Sequence, residues 1–365
     1  MAQYRRAVMM ADEDMTNGAG TKILSVDIKK PISRITIRFE TTKANESEAI
    51  GFPANLPRIE LVDGSTVLHS LTGFENQALA YYSRPRGCVM DIGLHIVTLR
   101  MINFFALDFG RYLWDEQLAF DPRRFVNPQL KITYDENICD TGATVNALGV
   151  EAQIFDEKEI SPIGFLMPVE HYAYTPGADD SYEQFSLPED RIIRQILLRS
   201  HYDGKEPYYN SHEIRFDEGT LDKIVFEETD LERYFYRMMG TWPKIVTDFF
   251  AGVTNAASRT FYLPQTNYQA TIAGVPIAGV NAPYHTAAGN PAGGKFALTG
   301  TADRQFAGQA MGYLPWHTFQ FPLGRQDVIE DWYDPNGRKP RMRIRAGTGG
   351  ANVDAQIVLE ELYKY

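Results

Sequence analysis

The sequence predicts a mainly β chain: two tandem jelly-roll domains, each an eight-stranded β-sandwich, with a few short helices. Three observations predict it. Apolar and polar residues alternate with period two along much of the chain, convincing helices are few, and the second half repeats the first in order. Alternating βαβ units are absent, which argues against doubly wound and barrel α/β folds.

Ser33, Ile35, Ile37 and Phe39 alternate with Ile32, Arg34, Thr36 and Arg38, so the first set puts three apolar side chains on one face. The same texture recurs in residues 58–62, 130–134 and 341–345. One wet and one packed face is expected of antiparallel strands in a sandwich. Two helices are expected, over residues 74–82 after Thr72-Gly73 and over residues 230–239 after Thr229. In the second, Thr229 as N-cap with Glu232 three residues on has the spacing of a capping box.

Four pairs of segments match in the same order. Residues 33–38 resemble 193–199, and residues 59–65 resemble 214–220. The latter pair is in each copy a strand, a glycine turn (Gly64 or Gly219), a short strand and then a helix. Asp108-Phe109-Gly110-Arg111 through Trp114 to Asp121-Pro122 answers Leu323-Gly324-Arg325 through Trp332 to Asp334-Pro335. Residues 129–132 followed by 152–155 answer 341–344 followed by 355–358. A strand-glycine-strand match is cheap by chance, but four in one order indicate a tandem duplication. Each half has room for about eight strands, which suits a Greek-key sandwich such as a jelly roll.

The expected divisions are an N-terminal arm at residues 1–22, a first jelly roll at 23–160 and a second at 161–365. The arm is polar, mixed in charge and ends in Asn17-Gly18-Ala19-Gly20, so it reads as ordered only when something holds it. The seam is the charged stretch 157–162, closed by Pro162. Residues 240–317 form a Gly/Ala-rich insertion with no counterpart of similar length in the first half. It is poor in charge and carries recurring apolar and aromatic residues, among them Phe261, Tyr262, Leu263, Tyr268 and Ile272. Ordered loops packed against a neighbour are expected there, because charge-poor surface suits subunit contact.

The 365 residues are 44% hydrophobic, ample for a buried core, and carry 36 Lys+Arg against 47 Asp+Glu. The resulting charge of −11 makes the chain a poor candidate for coating naked nucleic acid. Cys88 and Cys139 lie far apart in no CxxC, so a disulfide framework or a cysteine zinc site is not expected. The acidic Asp12-Glu13-Asp14 precedes any long apolar stretch, so the N-terminus does not read as a secretory leader, and no apolar run is long enough to span a bilayer.

No catalytic constellation is written in the chain. The seven histidines (His69, His95, His171, His201, His212, His285 and His317) form no HxH, HExxH or HxxxH. GxSxG and GxxxxGK[ST] are absent, and the glycines of residues 289–294 lack a strand-to-helix setting for phosphate. Acidic pairs such as Asp179-Asp180 and Glu360-Glu361 are expected on the solvated surface. No catalytic, cofactor-binding or metal-ligating residue is nominated, and no cofactor is expected. Tyr81-Tyr82 and Tyr234-Phe235-Tyr236, on the two equivalent helices, are expected to wedge against their own sandwiches.

Residues 59–71, running into a helix with Gln77-Ala78-Leu79, resemble the first jelly roll of the double-jelly-roll major capsid proteins of tailless icosahedral, membrane-containing bacteriophages, the tectivirus and corticovirus group. Residues 353–361 are similar to that family's last strand, and the resemblance covers most of residues 23–365 outside the insertion. It implies a non-enzymatic virion protein, made in the host cytoplasm, whose homotrimers present six similar lobes and tile as pseudo-hexamers. It also implies partners: further copies of itself, penton and minor capsid proteins, and an internal membrane met by the N-terminal arm. No direct contact with nucleic acid is implied. Two alternatives have their own requirements. A duplicated jelly-roll glycan hydrolase needs buried carboxylates in a groove between the halves. A glycan-binding attachment (spike) protein needs an exposed aromatic groove in residues 240–317.

Overall fold

The computed structural model describes residues 3–84, 91–202, 205–219, 223–253, 258–275, 284–288, 294–299, 304–348 and 354–365. Cys88 and most of the glycine run 289–294 lie outside them.

The first lobe is built from β1 (Tyr4–Glu13), β2 (Gly20–Ser25), β3 (Ile32–Thr42), β4 (Arg58–Asp63), β5 (Thr66–Leu71), helix α1 (Gly73–Ser83), β6 (Asp91–His95), β7 (Arg100–Asp108), β8 (Pro128–Tyr134) and β9 (Thr144–Phe155). The second begins with β10 (Gly164–Tyr174), β11 (Tyr182–Ser186), β12 (Ile193–His201), the short α2 (Pro207–Asn210), β13 (Ser211–Glu218), β14 (Lys223–Glu228) and α3 (Leu231–Met238). Next come β15 (Ile245–Val253), β16 (Ser258–Tyr262), β17 (Thr266–Val275), β18 (Tyr284–Ala288), β19 (Lys295–Thr299) and β20 (Arg304–Tyr313). The chain closes with β21 (Thr318–Pro322), β22 (Pro340–Ala346) and β23 (Asp354–Lys364).

Strand order establishes the duplication. The first lobe pairs its strands as β1-β9-β3-β7 and β2-β8-β4-β5, and the second as β10-β23-β12-β21 and β11-β22-β13-β14. With β10 to β14 taken as copies of β1 to β5, and β21 to β23 as copies of β7 to β9, the two orders are the same. Each is a jelly roll, two four-stranded sheets face to face. Even a bulge repeats: Ile32 pairs Ile154 and Arg34 pairs Gln153, while Ile193 pairs Glu361 and Gln195 pairs Glu360. That register corrects one sequence match, because Gln153 answers Glu360 rather than Gln356. The other three matches fall on equivalent strands and turns.

The sandwich faces follow the alternation. Ile35, Ile37 and Phe39 are buried in the first core, together with Ile59, Leu61, Leu130 and Ile132. Met342 and Ile344 play the same part in the second core with Ile196, Leu198 and Phe216. Each such side chain contributes about 1.5–3 kcal/mol on burial. Gly324 shows why a glycine opens the loop before Trp332: it sits at φ +82°, and a Cβ there would lie 2.1 Å from the Asp331 carbonyl oxygen.

Three expectations are corrected. Residues 4–13 are not a free arm; they form edge strand β1, paired antiparallel with β9 from Tyr4–Phe155 to Glu13–Leu148, while Ala7 and Met9 pack against the core. The polar letters hid it because an edge strand needs few apolar contacts. The described part of residues 240–317 is strand rather than loop: β15, β20, β17 and β18 continue the first lobe's sheet through β6, which pairs parallel with β15. Small residues such as Gly, Ala and Thr carry little alternation signal, yet pair normally once a neighbouring strand supplies the edge. The capping box belongs to α1, where Glu75 N–H donates to Thr72 Oγ1 and Thr72 N–H to Glu75 Oε2. In α3 the N-cap is Asp230, which accepts from Glu232 and Arg233, because Asp230 immediately precedes the first helical residue, Leu231, and Thr229 lies one position too early. Among the described residues, no helix is long and apolar enough to cross a membrane.

Candidate functional site

The junction between the lobes is the most elaborated part of the molecule. Ser70, near the end of β5, bridges Val169 of β10 in parallel, so one sheet of each lobe merges into a single eight-stranded sheet. The first residues of β10 serve both lobes: Phe165 and Met167 lie in the first core, beside Tyr363 and Tyr365 from the C-terminus. The Tyr365 hydroxyl accepts from Asp121 N–H at 2.6 Å and donates to the Ala119 carbonyl at 2.8 Å, tying the chain end into the first lobe.

Three apolar clusters close the junction. Leu71 and Leu79 meet Leu197 and Val358; Leu118 meets Leu166, Trp332 and Leu362; Phe74 meets Tyr262 and Trp316. Helix α1 supplies much of this. Its Asn76 side chain donates to the carbonyl of Ala106 and accepts from the amide of the same residue, extending β7 by a side-chain pair. Tyr82 Oη donates to the Thr318 carbonyl at 2.6 Å, and Tyr81 Oη to that of Pro243. Tyr81-Tyr82 therefore reach into the opposite lobe rather than wedge against their own. Tyr234 and Phe235 do pack in their own core, while Tyr236 is exposed.

Charge is also buried at the junction. Arg199 lies over the Phe74 ring, 4.5 Å from its centroid, and donates to Gln356 Oε1 at 2.9 Å. Burial drives the Glu75 carboxyl up to about 7, nearby Glu170 adds to this, and the Thr72 hydrogen bonds and Arg199 oppose it. A second cluster joins the first lobe to the 240–317 strands. Glu48 Oε1 takes Lys43 Nζ at 2.9 Å and His95 Nδ1 at 2.7 Å, and Glu48 Oε2 accepts from Tyr262 N–H at 3.1 Å. Burial would raise the Glu48 carboxyl, but the His95 and Lys43 charges bring it down to about 2.

The titratable residues fall as follows. His69 is buried, and desolvation holds its imidazole down to about 3. His201 and His317 are in edge contact, with ring centroids 4.7 Å apart. The described residues contain no group of three His, Cys, Asp or Glu placed to hold a metal ion. Asp180 is exposed and pairs with Arg345, whereas Glu360-Glu361 are not surface acids. Glu360 is buried against Arg194 and Gln195, and Glu361 is buried beside Arg191 with its carboxyl raised by burial to about 7. Period-two counting puts one of two adjacent acids outward, but β23 is an interior strand of the merged sheet and its residues 357–362 are buried on both faces.

The alternatives can be read against these positions. Glu75 and Glu170 are carboxylates at the junction, but Glu75 is sealed from solvent and committed to its helix cap, and Glu170 is held by Arg58 at 3.1 Å. A cavity of about 220 Å³ at the junction, lined by Val67, Met167, Val169, Leu359 and Glu361 among others, has neither of them in its wall. In the 240–317 segment Tyr262, Phe249 and Phe296 are buried, while Val246 and Phe250, on one face of β15, are half-exposed. A scan of sequence alone misses this junction, since each of its residues reads as ordinary core or surface.

No protein-family model matches the sequence, and no curated protein matches it. Solved structures do. A chain from the atomic structure of Sulfolobus Turreted Icosahedral Virus superposes with a TM-score of 0.61 at 9% identity, covering 100% of this chain and 91% of that one. The crystal structure of the STIV MCP gives 0.57 at 11% identity over 100% and 97%. The major capsid protein of bacteriophage PM2 gives 0.53 at 10% identity over 99% and 98%. The chain has the double-jelly-roll fold of these proteins. At such identities the likeness is one of fold, and it spans both lobes and their junction end to end.

Proposed function

We propose that this chain is the major building block of an icosahedral viral shell, assembling as a homotrimer whose six lobes imitate a hexamer. The observation that carries the reading is the strand-for-strand repeat of the jelly roll within one chain, with the lobes fused through a shared sheet. Such a rigid pair of near-equivalent units has value for tiling, because three copies related by a threefold axis then present six similar edges to their neighbours. Solved capsid proteins matched over 91–98% of their length support it. So does the acidic balance of −11, which disfavours contact with a packaged genome. Penton and minor capsid proteins are the further partners this role requires, at vertices and between capsomers.

Size-exclusion chromatography with light scattering tests the reading. A particle of three chains is expected, with a six-lobed outline in electron micrographs. A chain that stays monomeric at high concentration overturns it.

A further inference from the structure

Within one chain the free edge of β5 meets β10, and α1 lies over the adjacent face of the second lobe. Among the described residues the duplication leaves the equivalent pieces as sheet edges: β14 ends the four-stranded sheet and β1 ends the nine-stranded one. Registers identify the corresponding positions. Arg6 pairs Gln153 as Pro168 pairs Glu360, so Ala7 answers Val169. Ile59 pairs Leu71 and Ile132 as Ile214 pairs Glu228 and Ile344, so Glu227 answers Ser70 and Glu228 answers Leu71.

We propose that β14 of one copy lies parallel to β1 of the next, with Glu227 opposite Ala7 and α3 seated over the outer face of β1, β9 and β3. The contact names the partner surface within the assembly proposed above and rests on that reading. Its receiving face is already shaped. A groove of about 380 Å³ runs there, lined by Arg6, Val8, Thr36, Phe104, Gly149 and Glu151. Thr36 and Glu151 occupy the places of Leu197 and Val358, the residues that α1 and β5 cover inside the chain. On the incoming side Glu227 is exposed, as are Ile224 and Tyr236.

Charge supplies the complement. The apolar quartet Leu71, Leu79, Leu197 and Val358 within the chain becomes Glu228, Arg237, Thr36 and Glu151 between copies, with Arg6 beside Glu151. In the single chain these charges pair at home, Arg6 with Glu151 and Arg237 with Glu228, with both arginines more than half exposed. Brought together they form an alternating set of two cations and two anions. The contact is heterologous, one sheet edge to a different one, so it builds no twofold dimer, and it closes into a ring of three chains when the turn between copies matches the turn between lobes within a chain. An electrostatic seam between copies against an apolar seam within each also makes the assembly salt-sensitive while each chain stays intact.

The test is a cysteine pair, Ala7→Cys with Glu227→Cys, oxidised in the purified assembly and read on a non-reducing gel. Covalent head-to-tail oligomers are expected from the double variant and not from either single variant. As a second measurement, Arg237→Glu is expected to weaken the assembly at least tenfold by light scattering, and adding Glu151→Arg to restore it. Oligomers that form without the cysteine link, and with no effect of Arg237→Glu, overturn this contact and leave the assembly reading standing. A chain that is monomeric at every concentration overturns both.

Discussion

The indole Nε1–H of Trp316 donates to Gln77 Oε1 at 2.7 Å, joining a turn of the second lobe to the helix of the first. Gln77 Nε2 in turn donates to Asn103 Oδ1 at 2.8 Å, so one buried amide links α1, β7 and the segment before β21. Trp316→Phe keeps most of the apolar contact with Phe74 but removes the donor. The Gln77 oxygen then stays buried without it, at a cost of about 1–3 kcal/mol. Denaturant unfolding at matched assembly state measures it. A variant as stable as the parent shows that the link contributes nothing.

Glu48 holds Lys43 and His95 on its carboxylate and makes two backbone contacts, accepting from Tyr262 N–H and donating its own amide to the Thr260 carbonyl at 2.7 Å. Glu48→Ala leaves Lys43 buried without its nearest anion, so a loss on the order of 3–5 kcal/mol is expected. Glu48→Gln should cost less because it keeps an acceptor. The damage should concentrate where Glu48 ties β16 down. Faster amide exchange at Tyr262 than in β12 is the expected pattern, and uniform exchange across both lobes goes against it.

Acid has a defined effect at the same residue. The folded Glu48 carboxyl titrates near 2 against an ordinary 4.5, so the folded state binds fewer protons than the unfolded chain between those values. Its stabilisation is fully present above about pH 4.5 and is lost as the pH falls toward 2.

Glu361 runs the other way. Its carboxyl is raised by burial to about 7, against Arg191, so between pH 4.5 and 7 the folded protein keeps a proton that the unfolded chain has released. Stability from this group therefore falls as pH rises through that window, by roughly 1–3 kcal/mol, and is flat above it. Glu361→Gln should raise the melting temperature at pH 8 and leave it nearly unchanged at pH 4.5. Equal shifts at both values remove the carboxyl as the cause.

How much of this was legible in the sequence depends on where the physics is local. Ile35, Ile37 and Phe39 face one core by alternation alone, and the Gly64 and Gly219 turns mark the same hairpin twice, so class and duplication could be read directly. The edge strand β1 could not, because Val8 is mostly exposed and only Met10 is buried along it. Nor could the β15 to β20 strands, whose partner β6 lies in the other lobe and far back in the chain. The junction escaped for the same reason. Leu79 and Leu197 are separately unremarkable, and their meeting depends on how two finished sandwiches dock.

That docking sets the last expectation. Leu79, Leu197, Leu71 and Val358 form an apolar contact shared equally by the lobes, and the Ser70–Val169 bridge carries the sheet across it. With Phe165 and Met167 of β10 also set in the first core, neither lobe keeps a complete core if the other unfolds. The parent chain should therefore unfold in one calorimetric transition. Leu79→Ala removes a buried side chain from the shared cluster and should cost about 2–5 kcal/mol. It should lower both lobes together, because the cavity lies between them. Two resolved transitions in the parent, or a Leu79→Ala effect confined to probes in the first lobe, would mean that the lobes are independent units joined by a linker.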